Sequence, residues 1–407
     1  MKERYQIVGR GELVTEARIA IDDVIGEVGR KLIETILEVS GQEMAGERTL
    51  GKASGEIRWY GKQAGRVMLR DRQMQLTKPR LSRKGAGEVT LPAYEALRQN
   101  PETAGRMLGA KLAGVSTRNY KEVLPKMAAT AYVSRSAISR QVIEASVEQL
   151  RELNERRWDN VELLVIYCDG QRFGDHHIIS AVGVDLQGCK HVLGMEPGVT
   201  ENAAGVKRLF TRLRDNGLKT EQNYLFVIDG AKTLSSAMHE VFGAEQPVQR
   251  CRKHKEPNVL AELPKEQHDN ARSLLQAAGK SPNADDGIKR VEQLARFYER
   301  NHPQATQSLH EGLNEMFTLQ RLQIPPVMHK CLATTNLIES PQSWVRRRTL
   351  KISRWRVQDM ALRWAASAWL ATEKHFHKID GHQQLWALAN ILGRSPQANA
   401  APQFKVA

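Results

Sequence analysis

Val161-Glu-Leu-Leu-Val-Ile-Tyr-Cys-Asp-Gly170 is the stretch on which the fold turns. Its almost continuous apolar run, residues 161–168, closes in Asp169-Gly170, and the pattern recurs where residues 224–228 close in Asp229-Gly230. Between the two lie further apolar runs at 178–184 and 191–195. Residues 201–216 then carry helical spacing and stop at Gly217. Three strands, a helix and a fourth strand predict an α/β region with a mixed sheet and helices on its faces.

Working outward toward the N-terminus, residues 15–40 read as a helix, with Ile21, Val24, Ile25, Val28, Leu32 and Ile36 at helical spacing. Such a stripe packs on the chain's own core or on a second copy. Short alternating runs at 56–60, 66–70 and 73–78, with Gly61, Gly65 and Asp71-Arg72 between them, predict a small β-hairpin module that ends at Pro79. Residues 81–89 read as an exposed connection. From 103 to 153 the pattern is helical in short pieces. The piece in Val133-Ser-Arg-Ser-Ala-Ile-Ser-Arg140, with Ser134 as N-cap, leaves Arg135, Ser136, Ser139 and Arg140 on or near the outer face. It reads as a helix-turn-helix recognition helix or as an ordinary capped surface helix. Toward the C-terminus, residues 257–328 are helix-rich with a polar break near 281–287, a basic helical region follows to Lys374, and 395–407 form a frayed tail.

Composition narrows the function. The 407 residues carry 60 Lys+Arg against 46 Asp+Glu, a net charge of +14, with 41% apolar and 26% charged residues. These values describe a soluble globular protein whose partner is a polyanion, most simply nucleic acid. The longest apolar-rich stretch, 361–371, is too short for a membrane span and contains Arg363. Met1-Lys2-Glu3-Arg4 leads into polar sequence with no visible signal peptide, and Cys168, Cys189, Cys251 and Cys331 suggest no disulfide framework. The expectation is a cytoplasmic protein.

The chemistry rests on acids. A carboxylate at the end of a buried strand sits at the floor of a site in an α/β sheet, although Asp-Gly is also a common turn dipeptide. Glu339, in Thr334-Thr-Asn-Leu-Ile-Glu-Ser340, is the third candidate. The competing reading makes Asn336 an N-cap and Glu339 its capping-box partner. Three converging carboxylates would suit two Mg²⁺ or Mn²⁺ ions, which activate a water or a 3′-hydroxyl for in-line attack on a phosphodiester. Arg346 follows Glu339 by two helical turns, about 10 Å along one face, where it would hold a DNA phosphate. Arg347, Arg348, Lys351 and Arg354 complete a basic run that otherwise reads as a solvated face. Cys251-Arg-Lys-His254 resembles half of a zinc site, but no second close pair follows it.

These residues resemble a known family. Asp169-Gly170, Thr200-Glu-Asn-Ala-Ala204, Phe226-Val-Ile-Asp-Gly-Ala-Lys232, Gln249-Arg-Cys-Arg-Lys-His-Lys255, Ser308-Leu-His-Glu-Gly312, Thr334 to Ser340, Arg346-Arg-Arg-Thr349 and Met360-Ala-Leu-Arg-Trp364 are similar, in order, to Mutator-type bacterial insertion-sequence transposases. The resemblance covers about 161–379. It implies an RNase H-like mixed sheet with an Asp-Asp-Glu triad at Asp169, Asp229 and Glu339, interrupted by a mostly helical insertion. The Cys-x-x-His signature matches Cys251 and His254, in a structural or DNA-facing role.

The implied organisation is an N-terminal helical segment (1–50), the hairpin module (51–92), a helix-turn-helix-like DNA-binding region (93–157), the catalytic core (158–252 and 334–394), the insertion (253–333) and the tail. The implied partners are double-stranded DNA, as terminal inverted repeats and target, and further copies of the chain, with no membrane and no small-molecule substrate. Nucleoid association follows. Arg135 and Arg140 would contact the terminal repeats. Two departures stand out. None of the seven tryptophans lies between Asp229 and Glu339, so base stacking falls to Phe297, Tyr298, Phe317 or Trp344. Pro341, next to Ser340, would bend the helix that carries Glu339. The rival reading is a transposase-derived DNA-binding regulator that has lost catalysis; a nuclease that cuts without joining is a further one.

Overall fold

The computed structural model describes residues 10–48, 55–69, 72–98, 105, 108–109, 111–113, 135–198, 202–352 and 354–394. The chain divides into two compact units, Met1–Ala145 and Ser146–Ala407. No described helix is long and apolar enough to cross a membrane.

The first unit sets a long helix on a small sheet. Helix α1 (Arg10–Ala45) turns Ile33 and Leu37 onto strands β1 (Ile57–Leu69), β2 (Arg72–Arg83) and β3 (Gly87–Val89), with α2 (Pro92–Arg98) closing the core through Leu91 and Tyr94. The sheet is antiparallel with β2 in the middle. Two expectations change here. The short alternating runs merge into two long strands, paired from Ile57↔Arg83 to Leu69↔Arg72. Residues 81–89 are not an exposed connection: β2 runs on to Arg83, β3 pairs with it, and Leu81 is fully buried. Pro79 is tolerated inside β2 because β3 reaches only Leu81–Arg83 and leaves that side of the strand open at the proline. The stripe expected on α1 faces away from the sheet. Val24, Val28, Leu32, Ile36 and Val39 are 44–62% exposed.

Helix α3 (Arg135–Glu155) is longer than the short piece expected there. Residues 114–134, which would hold the preceding helix of a helix-turn-helix, lie outside the described residues, as do Ser134 and the side chain of Arg135.

The second unit is built on a five-stranded mixed sheet in the order β6-β5-β4-β7-β8. Strands β4 (Leu163–Phe173), β5 (His176–Asp185) and β6 (Lys190–Pro197) form an antiparallel meander. Strands β7 (Leu225–Ile228) and β8 (Val248–Arg250) then add in parallel beside β4. Helices α4 (Ala203–Asp215) and α5 (Lys232–Phe242) cover one face, where Phe210, Tyr224, Phe226 and Phe242 pack edge-on around Ile166 and Cys168. Alternation along β4 sends Tyr167, Asp169 and Gln171 to the opposite face. There Tyr167 Oη donates to the Cys331 carbonyl (3.1 Å) and Gln171 Nε2 to the Gln342 carbonyl (3.0 Å).

After β8, every regular element among the described residues is helical. Helices α6 (Arg252–Leu260), α7 (His268–Gly279), α8 (Ala284–Tyr298), α9 (Pro303–His310), α10 (Leu313–Met316), α11 (Thr318–Arg321) and α12 (Pro326–Leu332) enclose a core of their own around Val259, Leu294, Tyr298 and Phe317. Helix α13 (Asn336–Thr349) then returns to β4, followed by α14 (Gln358–Glu373) and α15 (Leu385–Ile391). Arg363, buried in α14, is held by Asp359 (2.8 Å) and Ser146 (2.9 Å).

Candidate active site

Strand register brings the first two acids together. The parallel ladder pairs Tyr167 of β4 with Val227 of β7, and two residues further on the same face stand Asp169 and Asp229. Asp229 follows just past the end of β7, and its charge acts on Asp169, so the two carboxylates face one another's field. Asp169 is not a turn residue, contrary to one reading of Asp169-Gly170. Strand β4 continues past it, paired to Ser180 of β5, and turns only at Gly174. On the other side its ladder with β7 stops at Tyr167, which leaves an opening at the carboxyl ends of the parallel strands. Asp169 Oδ1 accepts from Gly170 N (2.8 Å), and Asp229 Oδ1 from Ala231 N (3.0 Å).

The third parallel strand ends at the same edge. Ile228 pairs with Arg250, and Cys251 N donates to the Ile228 carbonyl (2.7 Å), so Cys251 follows as the next residue along. Gly230 explains the sharp exit after Asp229. Its φ is +99°, and a Cβ there would lie 2.3 Å from Arg250 Nε. Arg250 itself is buried and tied to Glu311 through the carbonyl (2.9 Å) and Oε2 (3.0 Å).

Glu339 enters from α13. The helix begins at Asn336 after Thr335, which makes no side-chain cap bond, so the Asn336 capping box does not form. Instead, Thr335 Oγ1 donates to Glu339 Oε1 (2.6 Å), and Lys253 Nζ donates to Oε2 (3.0 Å) and to Asn336 Oδ1 (2.8 Å). The Glu339 side chain thus bonds the hydroxyl of the helix-start Thr335 and the Lys253 ammonium, and not a backbone N–H as a capping box would. Pro341 sits buried within the first turns of α13, and the helix runs unbroken through it to Thr349.

Cys251 and His254, one turn apart at the start of α6, join the acids. Cys251 Sγ accepts from Thr335 N (3.3 Å) and lies 3.2 Å from Thr335 Oγ1, while His254 Nε2 lies 3.8 Å from Glu339 Oε1. The pair expected in a structural or DNA-facing role thus lies beside Glu339.

The charges of these groups act on one another. Burial pushes the Asp169 carboxyl up to about 6, the Gly170 N–H opposes this, and the charge of Asp229 adds to it. The Gln342 amide acts on Asp169 in the lowering direction, yet its buried Nε2 makes no well-formed hydrogen bond. His254 is raised to about 9, first by its hydrogen bond with Cys251, against burial, and then by the charges of Cys251, Glu339 and Asp169. Burial pushes Cys251 up, but its bonds with His254 and Thr335 prevail and hold the thiol below its usual value. Burial likewise raises Glu339, and the Thr335 and Lys253 bonds prevail to lower it. His254 thus feels both Glu339 and Asp169, and Asp169 feels Asp229.

Comparison with known proteins identifies the family. The family model described as "Transposase, Mutator family" matches residues 7–376. The chain belongs to the Mutator family of transposases.

Among its relatives, the transposase for insertion sequence element ISRM5 of Rhizobium meliloti is 26% identical over 91% of this chain and 93% of its own length. The transposase for IST2 of Acidithiobacillus ferrooxidans is 30% identical over 43% of this chain, and that alignment spans 57% of the relative. The transposase for IS905 of Lactococcus lactis is 24% identical over 68% of this chain and 70% of the relative.

In this Mutator-family chain the basic run beyond Glu339 splits by face. Arg346 and Arg347 are exposed, and Arg347 lies over the Trp344 ring (5.0 Å). Arg348 turns inward and donates to Thr372 Oγ1 (3.2 Å). Lys351 and Arg354 are exposed, as is Arg140 on α3. Of the four candidate stacking aromatics, Tyr298 and Phe317 are corrected to core residues, 1% and 0% exposed, because they fill the helical cluster. Phe297 and Trp344 remain open, at 68% and 52%. Lys253, Thr335 and Gln342 escaped sequence reasoning. Each is an ordinary residue type whose significance lies only in what it faces after folding.

Proposed function

We propose that this chain is a DNA transposase that binds the terminal inverted repeats of an element, cleaves phosphodiester bonds and joins the freed ends to target DNA. The observation that carries this reading is that Asp169 on β4 and Asp229 just past the end of the parallel β7 both follow the Tyr167–Val227 pair, with Glu339 beside His254, whose charge reaches Asp169. The strand order, with three antiparallel strands extended by two parallel ones, supports an RNase H-like core. The all-helical stretch between β8 and α13 supports the inserted segment.

Two Mg²⁺ or Mn²⁺ ions held by Asp169, Asp229 and Glu339 would supply the activation of a water or 3′-hydroxyl and the stabilisation of the leaving oxygen. Half-buried Asp169, raised by burial and by the charge of Asp229, fits such an ion, since a cation relieves the cost of ionising it. Gly230 and Arg250 fix the path by which Asp229 reaches the opening. Thr335 fixes one oxygen of Glu339, and Lys253 neutralises the other until metal arrives.

Arg346 extends the site along α13 toward a DNA phosphate, with Arg347, Lys351 and Arg354 adding positive potential, while Arg348, also expected there, is turned to Thr372. Arg135 and Arg140 on α3 would read terminal repeats. Phe297 and Trp344 are the aromatics available to stack on an unpaired base. The outward stripe of α1, opposite Ile33 and Leu37, is an apolar surface of the kind that marks a partner site, and a second copy of this chain is the occupant that the paired ends of an element require. The protein would act in the cytoplasm at the nucleoid.

An in vitro joining assay with the element's own ends tests the reading. Asp229→Asn should abolish joining while end binding persists; undiminished joining overturns the triad. End binding by the unaltered chain without Mg²⁺-dependent cleavage or joining would leave a DNA-binding regulator.

A further inference from the structure

Cys251, His254 and Glu339 each offer one ligand atom, and these atoms all lie within 4.8 Å of one another. The spacing is that of first-row metal ligands before closure. Cys251 caps α6 and His254 follows one turn later, so a single helix start presents sulfur and nitrogen to the oxygen that α13 brings. The sequence offers only the Cys-x-x-His half of a site, and folding supplies its third ligand.

We infer that these three side chains form a transition-metal site, best matched to Zn²⁺, that shares Glu339 with the catalytic acids and so competes with Mg²⁺ for it. The inference rests on the transposase reading for its consequence, though not for its existence. The ligand chemistry selects the metal. A thiolate and an imidazole suit Zn²⁺ and are poor ligands for Mg²⁺, which takes oxygen ligands. Three protein ligands leave a fourth position for water, the arrangement of an open zinc site.

Binding forms bonds from Zn²⁺ to Cys251 Sγ, one imidazole nitrogen and one Glu339 oxygen. It releases to solvent the proton that the Cys251–His254 pair carries. The rearrangements required are small. Lys253 Nζ, 3.0 Å from Glu339 Oε2, is more than half exposed and swings away into solvent. Thr335 N keeps its bond to Sγ and serves as an outer support for the sulfur. With Glu339 engaged by Zn²⁺, the aspartate pair loses its third carboxylate, so Zn²⁺ acts as an inhibitor of Mg²⁺-dependent joining.

The test uses the full chain, purified metal-free and titrated with ZnCl₂ against a chromophoric chelator. The inference expects one tightly bound Zn²⁺ per chain. Cys251→Ser and His254→Gln should each weaken it by at least the ~100-fold that outer-shell losses alone reach, and Co²⁺ should give a thiolate charge-transfer band that Cys251→Ser lacks. Circular dichroism melts of the metal-free variants check that they fold. Equal Zn²⁺ affinity in the unaltered chain and both folded variants, or no stoichiometric binding, overturns the site. Joining in Mg²⁺ is measured separately. Joining without Zn²⁺ binding sinks only this inference, and Zn²⁺ binding without joining leaves the metal site and sinks the transposase reading. If both occur, added Zn²⁺ must suppress joining, and joining insensitive to bound Zn²⁺ refutes the shared ligand.

Discussion

Replacing Asp169 with Asn should stabilise the metal-free protein at neutral pH while destroying its catalysis. Asn keeps the oxygen that accepts from Gly170 N and removes only the charge. Burial and Asp229 raise Asp169 from 3.8 to about 6. The sign follows from linkage. A carboxyl whose folded-state value lies above its unfolded value contributes stability below about pH 4, and that contribution is lost as pH rises through about 6. The ceiling is about 3 kcal/mol, from roughly two units at 1.36 kcal/mol each. Asp169→Asn should therefore be more stable than the unaltered chain by up to about 3 kcal/mol near pH 8. The two should converge near pH 4, where the acid is neutral.

Chemical denaturation in chelator at several pH values, followed by fluorescence of buried Trp158 and Trp369, measures the difference within the second unit. Excess Mg²⁺ should stabilise the unaltered chain more than the variant. A gap that stays constant across pH, or a variant less stable near pH 8, would refute the argument that these acids repel across a buried site. Stability lost to a functional charge is the usual trade at an active site.

Other substitutions probe different parts of the argument. Gly230→Ala forces a Cβ to within 2.3 Å of Arg250 at φ +99°, whereas Gly243→Ala faces open space at φ +92°. Both carry backbone strain of about 1–3 kcal/mol, but only the first should displace Asp229 and lose joining, and equal activities would discount the clash. Leu32→Glu, on the exposed stripe of α1, should shift the mass measured by light scattering toward the monomer with the melting temperature held; an unchanged mass removes α1 as the self-association surface. Arg346→Ala should weaken binding to DNA of any sequence and lower the steepness of its salt dependence by about one. Arg348→Ala, whose partner is Thr372, should leave that slope alone, and identical slopes for the two would contradict the division of the basic run by face.

By itself the sequence determined the elements that have strong local signals. Continuous apolar runs mark β4, β5 and β7, and Gly217 stops α4, because buried strands and helix ends write their pattern into neighbouring residues. It also made Asp169, Asp229 and Glu339 visible as candidates, since acids beside apolar runs are conspicuous.

Where proximity matters, the sequence is silent. Strand β8, Val248–Arg250, is too short to show any period, and without it nothing lines Cys251 up beside Asp229. Asp169-Gly170 and Gly174 are equal as local turn signals; long-range pairing with Ser180 chose the second. Thr335 took the helix start that Asn336 could locally have claimed, because Lys253 and Glu339 engage the two side chains elsewhere. On α1 two apolar faces compete for one small sheet, and the sheet took Ile33 and Leu37. Local preferences are settled within a few residues of chain. Register, burial and charge coupling depend on partners tens to more than a hundred residues away, and only the folded chain brings those within a few ångströms.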